Sequence, residues 1–129
     1  MSVYEYSSNY YPLAPICQIY LGLGGSQPTL GPLEALMDTG SDMSIIPIDL
    51  LKQIGAKRIS RGRARSVWGD ARSVDIYIIA LALEDLQIST LQVLADDQGH
   101  EIVIGRPVLN RLKMILDGPA AQIEIVDTI

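Results

Sequence analysis

The feature that most constrains this chain is an acidic turn between two apolar segments at residues 36–47, which read Leu-Met-Asp-Thr-Gly-Ser-Asp-Met-Ser-Ile-Ile-Pro. The turn begins with Asp38, Thr39 and Gly40. Asp and Thr side chains bond to nearby backbone N–H groups in turns, and Gly adopts backbone angles that other residues resist. The apolar flanks predict two strands at the edge of a core, so the Asp38 carboxylate is a candidate catalytic acid or base. The alternative is a polar hairpin tip, because three-residue motifs recur by chance.

A second informative segment lies at residues 101–112 and reads Glu-Ile-Val-Ile-Gly-Arg-Pro-Val-Leu-Asn-Arg-Leu. Its apolar run ends at Gly105, and Pro107 then opens a short helical pattern, because proline suits a first helical turn. The apolar residues of that pattern are Val108, Leu109 and Leu112. We therefore expect a strand, a turn and a short helix in this segment.

Together the two segments resemble those of the retropepsin-like (retroviral-type) aspartic proteases. In that family two apolar residues precede Asp-Thr-Gly, and an apolar-apolar-Gly segment followed by a short helix comes later in the chain. The matching residues here are Leu36-Met37 with Asp38-Thr39-Gly40, then Val103-Ile104-Gly105 with Arg106, then the segment from Pro107. The resemblance spans roughly residues 15–126. It implies a mainly β acid-protease fold, which is a small closed β-barrel-like domain with a flap hairpin, one or two short helices and a homodimeric assembly.

The resemblance also implies catalysis by a pair of aspartates, with no cofactor and no metal. Two close carboxylates share one proton, so one acts as a base toward water while the other donates to the carbonyl oxygen of the peptide. The chain holds one Asp-Thr-Gly, so the pair requires two chains in which Asp38 meets its symmetry mate. By the same resemblance, Thr39 would hydrogen-bond across the dimer, and Gly40 would offer its carbonyl to the substrate backbone.

Four further residues acquire roles from the resemblance. Asp42 would contact the substrate main chain, and Arg106 would form an ion pair with Asp42 inside one subunit. The alternative is that Asp42 and Arg106 are unrelated surface charges. Ile104 and Gly105, together with Arg106, would support the catalytic turn.

Ser41 departs from the retroviral pattern. Retroviral enzymes commonly have Ala at this position, whereas pepsin-like enzymes have Ser. We assign Ser41 to the substrate-binding residues and expect its hydroxyl to donate a hydrogen bond to the Asp38 carboxylate.

A predicted hairpin in the middle of the chain resembles the flap that covers the cleft in this family. Two segments, 59–67 and 73–83, predict its strands, and Gly69-Asp70 is a plausible tip. The tip lacks the glycine-rich sequence that is usual in the family. We expect Trp68 and Gly69 to contact the substrate, and shielding of the core is the alternative role for Trp68.

The rest of the chain predicts one mainly β domain at residues 14–129. Residues 1–13 contain four tyrosines without a strand or helix period, so we expect an arm that is loose or laid on a partner subunit. The expected strands are 15–23, 33–37, 44–47, 86–95, 114–116 and 122–126, and the expected helix is 47–54, closed by Gly55.

Composition limits the possible functions. The net charge of -5 argues against nucleic acid as a general partner. No apolar run reaches the ~20 residues of a membrane helix, and no secretory signal is visible, so we expect no membrane partner and a cytoplasmic location.

Cys17 is the only cysteine and is expected to be a buried thiol. His100 is the only histidine, so sites of the Ser-His-Asp or Cys-His type have little support, and metal-ligand spacing is absent.

Positive charge is distributed unevenly along the chain. All ten Lys and Arg residues lie between Lys52 and Lys113. Six of them crowd the predicted hairpin, namely Lys57, Arg58, Arg61, Arg63, Arg65 and Arg72. Because Arg61, Arg63 and Arg65 alternate along a strand, their side chains point the same way. A solvated strand face and a functional basic patch both remain open.

These observations favour an aspartic endopeptidase that binds an extended peptide or protein substrate between the catalytic turn and the hairpin. The rival hypothesis is a non-catalytic dimerisation or peptide-binding module that keeps the same fold.

Overall fold

The computed structural model describes residues 2–126, which form ten strands and two short helices. In chain order these elements are β1 Ser2–Glu5, β2 Ile16–Leu23, β3 Leu30–Met37, β4 Ser44–Pro47, α1 Ile48–Gln53, β5 Lys57–Arg65, β6 Ala71–Leu83, β7 Leu86–Asp96, β8 Val103–Ile104, α2 Arg106–Leu109, β9 Met114–Asp117 and β10 Gln122–Ile125.

Seven strands form one sheet in the order β2-β3-β8-β4-β7-β6-β5. Strand β6 pairs with β5 along its first part and with β2 along its second part, which joins β2 back to the sheet. Six strands therefore close into a ring, and β5 extends beyond it as an edge strand. The mainly β, closed barrel-like domain expected from the sequence is confirmed.

Strand alternation explains how the ring is filled. In β2 the side chains of Cys17, Ile19 and Leu21 are fully buried, whereas Gln18 and Tyr20 between them are exposed. Successive side chains of a strand point to opposite faces, so one face of β2 supplies the core. Burial, with a smaller effect of the Glu84 carboxylate, raises the pKa of the Cys17 thiol to about 12. The expectation of a buried thiol is confirmed.

The two helices are short and lie where the sequence predicts them. Helix α1 buries Leu51 and ends before Gly55, whose φ of +71° suits glycine. Helix α2 buries Val108 and Leu109 and has Pro107 in its first turn. At six and four residues, these two helices of the described part of the chain are too short to span a bilayer.

The N-terminal segment differs from the expected irregular arm. Strand β1 pairs antiparallel with β10, and β10 pairs with β9, so the three strands form a second sheet in the order β1-β10-β9. The Tyr4 hydroxyl donates to the Glu84 carboxylate, and Tyr4 packs against the core. A four-residue strand is too short to show a period, and its partner lies at the far end of the sequence. The division of the chain into residues 1–13 and 14–129 stays a prediction.

The predicted hairpin is formed by β5 and β6. Its strands pair from Lys57 with Ile78 to Arg65 with Ala71, and the register shifts by one residue between Arg58 and Ser60. In the connecting loop, the Ser66 N–H donates to the Asp70 carbonyl at 2.9 Å, and Gly69 has a φ of +87°. The loop is therefore centred on Trp68, one residue before the expected Gly69-Asp70 tip, and β5 ends at Arg65, before the predicted limit of residue 67.

Candidate active site

Two parallel strands, β3 and β8, position the acidic turn. Leu36 lies beside Val103 and Met37 beside Ile104, so the chain leaves both strands at the same end of the pair. The Asp38 N–H donates to the Ile104 carbonyl at 2.9 Å and continues the ladder by one residue. The backbone of Asp38 is therefore fixed by the sheet, while its side chain belongs to the turn.

The turn itself is built by the Asp38 side chain. Its Oδ1 accepts a hydrogen bond from the Gly40 N–H at 2.8 Å, and the Asp38 carbonyl accepts from the Ser41 N–H at 3.2 Å. Asp38 is half-buried, whereas Thr39 and Gly40 are exposed. Within residues 2–126 no protein group donates to Oδ2. One carboxylate oxygen is thus held by the protein and the other is available to a water molecule.

Arg106 holds this turn through two carbonyl groups. Its N–H donates to the Ser41 carbonyl and its Nη1 donates to the Thr39 carbonyl, each at 2.9 Å. The expected ion pair between Arg106 and Asp42 is wrong, because the ion pairs of the described residues both involve Asp75 instead. The Arg106 guanidinium instead makes a charge-assisted hydrogen bond to a backbone carbonyl, so it does not require the Asp42 carboxylate as a partner. The exposed Asp42 side chain stays outside this contact.

Gly105 and Ser44 lock β8 against the strand that leaves the turn. The buried Gly105 N–H donates to the Ser44 Oγ at 3.0 Å, and Ser44 is itself fully buried. A Cβ atom on Gly105 would lie 2.5 Å from the Met43 carbonyl oxygen. The predicted supporting role of Gly105 is consistent with this close packing. The role of Ser44 was not predicted from the sequence, although a polar residue on the inward face of an apolar strand is a signal for a buried hydrogen bond.

The predicted hydrogen bond from the Ser41 hydroxyl to the Asp38 carboxylate is wrong. The Ser41 Oγ donates to the Met43 carbonyl at 2.5 Å, two residues along the chain. Hydroxyl groups in turns often bond to neighbouring backbone groups, and here this local acceptor is preferred. Ser41 thus stabilises the chain path between Asp38 and β4.

Trp68 and Gly69 lie at the tip of the β5–β6 hairpin, and within residues 2–126 neither makes a hydrogen bond to the Asp38 turn. Trp68 is 87% exposed, so it does not shield the core of the single chain. Its backbone N–H donates to the Ser66 Oγ at 3.2 Å. The structure therefore brings Asp38, Thr39, Gly40, Ser41 and Arg106 together, with Ile104 and Gly105 behind them. No hydrogen bond of the described residues joins the hairpin tip to this group.

The described residues offer no other reactive centre near the turn. Among residues 2–126, no group of three or more His, Cys, Asp and Glu side chains could hold a metal ion. No second carboxylate of residues 2–126 is hydrogen-bonded to Asp38.

Comparisons with known proteins identify the fold. No family model and no curated protein matches the sequence. A retropepsin-like aspartic protease from Rickettsia conorii superposes with a TM-score of 0.63 at 8% identity, covering 95% of this chain and 86% of that chain. EIAV protease complexed with the inhibitor HBY-793 gives a TM-score of 0.52 at 19% identity, covering 75% and 86%. The retroviral protease-like domain of Ddi1 from Leishmania major gives a TM-score of 0.52 at 19% identity, covering 87% and 89%.

These likenesses define the class of fold. Identities of 8% to 19% are too low to carry function from one protein to another, but the three structures share a single architecture with this chain over most of its length. The chain has the retropepsin-like aspartic protease fold, as its two sequence motifs indicate.

Proposed function

We propose that the chain is an aspartic endopeptidase that acts as a homodimer, with one Asp38 contributed by each subunit. The observation that carries the proposal is the Asp38 turn itself. It combines a half-buried carboxylate, a backbone N–H donor on one carboxylate oxygen and a rigid support from Arg106, within a retropepsin-like fold. Peptide hydrolysis without a metal or a nucleophilic side chain needs a second carboxylate, and a two-fold axis supplies one.

The chemistry follows from two carboxylates that share one proton. The ionised Asp38 removes a proton from a water molecule, which attacks the carbonyl carbon of the substrate, while the protonated Asp38 of the other subunit donates to the carbonyl oxygen. Collapse of the tetrahedral intermediate breaks the C–N bond, and the amine leaves with a proton from the pair. The Gly40 N–H keeps each carboxylate oriented throughout.

The exposed surface of the turn fits a dimer. Thr39 and Gly40 lie at the surface of the single chain, where a second copy would cover them. We propose that Thr39 bonds across the two-fold axis. We also propose that Asp42, whose carboxylate is not the acceptor of the Arg106 guanidinium, accepts from the substrate backbone. Trp68 and Gly69, at the hairpin tip, would close over the peptide from the other side.

Strand β9 is our candidate for the dimer contact. It is the edge of the sheet β1-β10-β9, and Leu116 lies opposite the fully buried Ile123 on the core-facing side. Leu116 is nevertheless 58% exposed, and no strand of the described chain lies beyond β9 to cover it. Ile115 points to the opposite face of the sheet and is 50% exposed. Antiparallel pairing of β9 with its copy would extend the sheet and bring a second Leu116 to the core-facing side, where it would cover the first.

The first experiment compares wild type with Asp38→Asn in cleavage of a peptide library at roughly pH 4 to 7, the range suited to carboxylate catalysis. We expect a loss of at least about a hundredfold in kcat/KM. The matched control is Asp85→Asn, which removes the same charge from the exposed turn between β6 and β7 and should keep full activity. Equal cleavage by wild type and Asp38→Asn would refute the proposal.

A mixing experiment tests whether the site is shared. When equal amounts of wild type and Asp38→Asn exchange subunits, about a quarter of the dimers keep two aspartates, so activity per dimer should fall to about that fraction of the wild-type value. A fall only to about half would show that one chain is sufficient.

The dimer contact has its own test. We expect Leu116→Glu to lower both the dimer fraction in analytical ultracentrifugation and the specific activity at low protein concentration. An unchanged dimer would refute the β9 contact and leave the Asp38 chemistry standing. A wild-type dimer that binds library peptides without cleaving them would favour the rival, a non-catalytic binding module. The cytoplasmic location expected from the sequence stays a prediction.

A further inference from the structure

Charge is segregated on the β5–β6 hairpin. Residues 57–76 carry six cationic and two anionic side chains, whereas the whole chain has a net charge of -5. The hairpin is therefore a positive element on an otherwise acidic protein. A positive hairpin on an acidic protein attracts a small anionic partner to the hairpin, whereas the negative charge elsewhere repels a large polyanion.

The arginines of β5 share one face of the hairpin. Arg61 lies opposite Asp75, Arg63 opposite Ser73 and Arg65 opposite Ala71, so their side chains project on the same side. Gly62 faces the other way, opposite the buried Val74. The arginine face is thus turned away from the side that Val74 packs against, and all three arginines are exposed.

A single carboxylate neutralises only part of this face. The Asp75 Oδ1 lies 3.2 Å from Arg61 Nε and 3.7 Å from Arg58 Nε. Within residues 2–126, Arg63 and Arg65 have no acidic side chain at ion-pair distance. The positive charge of the arginine face is therefore uncompensated at the end nearest the hairpin tip.

The same strand has a free backbone edge. Strand β5 pairs with β6 alone and ends the order of the seven-stranded sheet, so its outer N–H and C=O groups have no strand partner among the described residues. An extended peptide can add to such an edge, and its alternate side chains then lie on one face. Those side chains recur every ~6.7 Å, the spacing of the arginines themselves.

We propose that β5 binds an extended acidic segment of the substrate protein by strand addition, with acidic side chains at every second position facing Arg61, Arg63 and Arg65. The proposal rests on the proposed function only in calling this partner a substrate. Its recognition chemistry is independent of cleavage, since it requires a free edge and unpaired guanidinium groups. A solvated arginine face that merely guards the edge against aggregation is the competing explanation.

Binding is measured by fluorescence anisotropy with the Asp38→Asn variant, so that no probe is cleaved. One labelled peptide has glutamate at every second position, and its isomer has the same glutamates in one contiguous block. We expect the alternating peptide to bind about tenfold more tightly, because only its carboxylates match the arginine spacing. Equal affinity of the two isomers would overturn the proposal, as would equal binding of a single-stranded oligonucleotide of the same charge.

Two double variants test whether the peptide binds at the arginine face. The double change Arg63→Gln with Arg65→Gln should reduce the affinity for the alternating peptide to that of its isomer. The matched control, Arg111→Gln with Lys113→Gln, removes the same charge from exposed positions after α2 and should leave this difference intact. Retention of the preference without Arg63 and Arg65 would identify the arginine face as a solvated surface only.

Backbone pairing between β5 and the bound peptide is tested by modifying the backbone of the labelled peptide. Methylation of alternate peptide nitrogens removes the donors of one edge, and methylation of the intervening nitrogens removes those of the other. We expect only one of the two methylated peptides to lose binding, since a single edge faces β5. If neither peptide loses binding, strand addition is refuted.

Discussion

Replacing Gly105 with alanine would press a methyl group into the backbone of the candidate catalytic turn. The added Cβ would lie 2.5 Å from the Met43 carbonyl oxygen and 2.8 Å from the Ser41 carbonyl oxygen. Even the closest favourable C···O contacts are about 3.3 Å. Gly105 has φ -99° and ψ -173°, an extended conformation that any residue adopts, so the cost is steric and not conformational.

The magnitude follows from what the methyl group meets. Overpacking costs about 1 to 3 kcal/mol when side chains can adjust, and here the obstacles are backbone carbonyls that cannot rotate away. The Ser41 carbonyl also accepts from the Arg106 N–H at 2.9 Å, so its displacement weakens that bond. We therefore expect Gly105→Ala to lower the free energy of unfolding by about 3 kcal/mol.

Urea unfolding followed by far-UV circular dichroism measures this loss. Tryptophan fluorescence is a poor signal because Trp68 is already 87% exposed. Protein concentration is kept constant, since dimerisation contributes to apparent stability. The control is Gly118→Ala, whose added Cβ meets no atom within 4 Å and should change stability by less than about 0.5 kcal/mol. If Gly105→Ala behaves like this control, the steric reasoning is wrong.

Three further predictions use the same chain. Ser44→Ala should cost about 2 kcal/mol in urea unfolding, because it leaves the buried Gly105 N–H without an acceptor, and a cost below about 0.5 kcal/mol would contradict this. The Cys17 thiol, whose pKa burial raises to about 12, should react with a thiol reagent at about pH 8 only after unfolding by urea, and rapid labelling of the native protein would exclude its burial. Burial, with the neighbouring Glu101 carboxylate, raises the pKa of Tyr10 to about 12, above the ordinary value of 10.0. The folded state therefore holds the phenolic proton of Tyr10 more tightly than the unfolded state does. This difference stabilises the folded state fully below pH 10.0, and the stabilisation is lost as the pH rises toward about 12. Wild type should thus lose Tm faster than Tyr10→Phe over this interval, and parallel curves would refute the assignment.

The strands and helices could be predicted because their signals are local. Alternation identifies β2, and Pro47 and Gly55 bracket α1 as start and stop signals. The candidate catalytic turn was found in the same way, since its motif and its flanking apolar strands are contiguous.

The contacts that were predicted wrongly depend on choices between nearby acceptors. Arg106 donates to the Thr39 carbonyl instead of pairing with Asp42, and Ser41 donates to the Met43 carbonyl instead of Asp38. Each choice is fixed by the path of the backbone through the turn, which cannot be read from the types of a few neighbouring residues. Strand β1 was missed for a related reason, because four residues reveal a strand only when their partner is known.

The pairing of β1 with β10 has a consequence for the time course of folding. Ser2 lies beside Ile125, so this contact joins residues separated by almost the whole chain, whereas the β6–β7 hairpin closes through the Glu84–Asp85 turn. Closing a long loop costs more chain entropy and slows contact formation. We expect amides of β6 and β7 to gain protection from hydrogen exchange early in refolding, and those of β1 to gain it last. Strand β1, the first in the sequence, is then the last strand to pair.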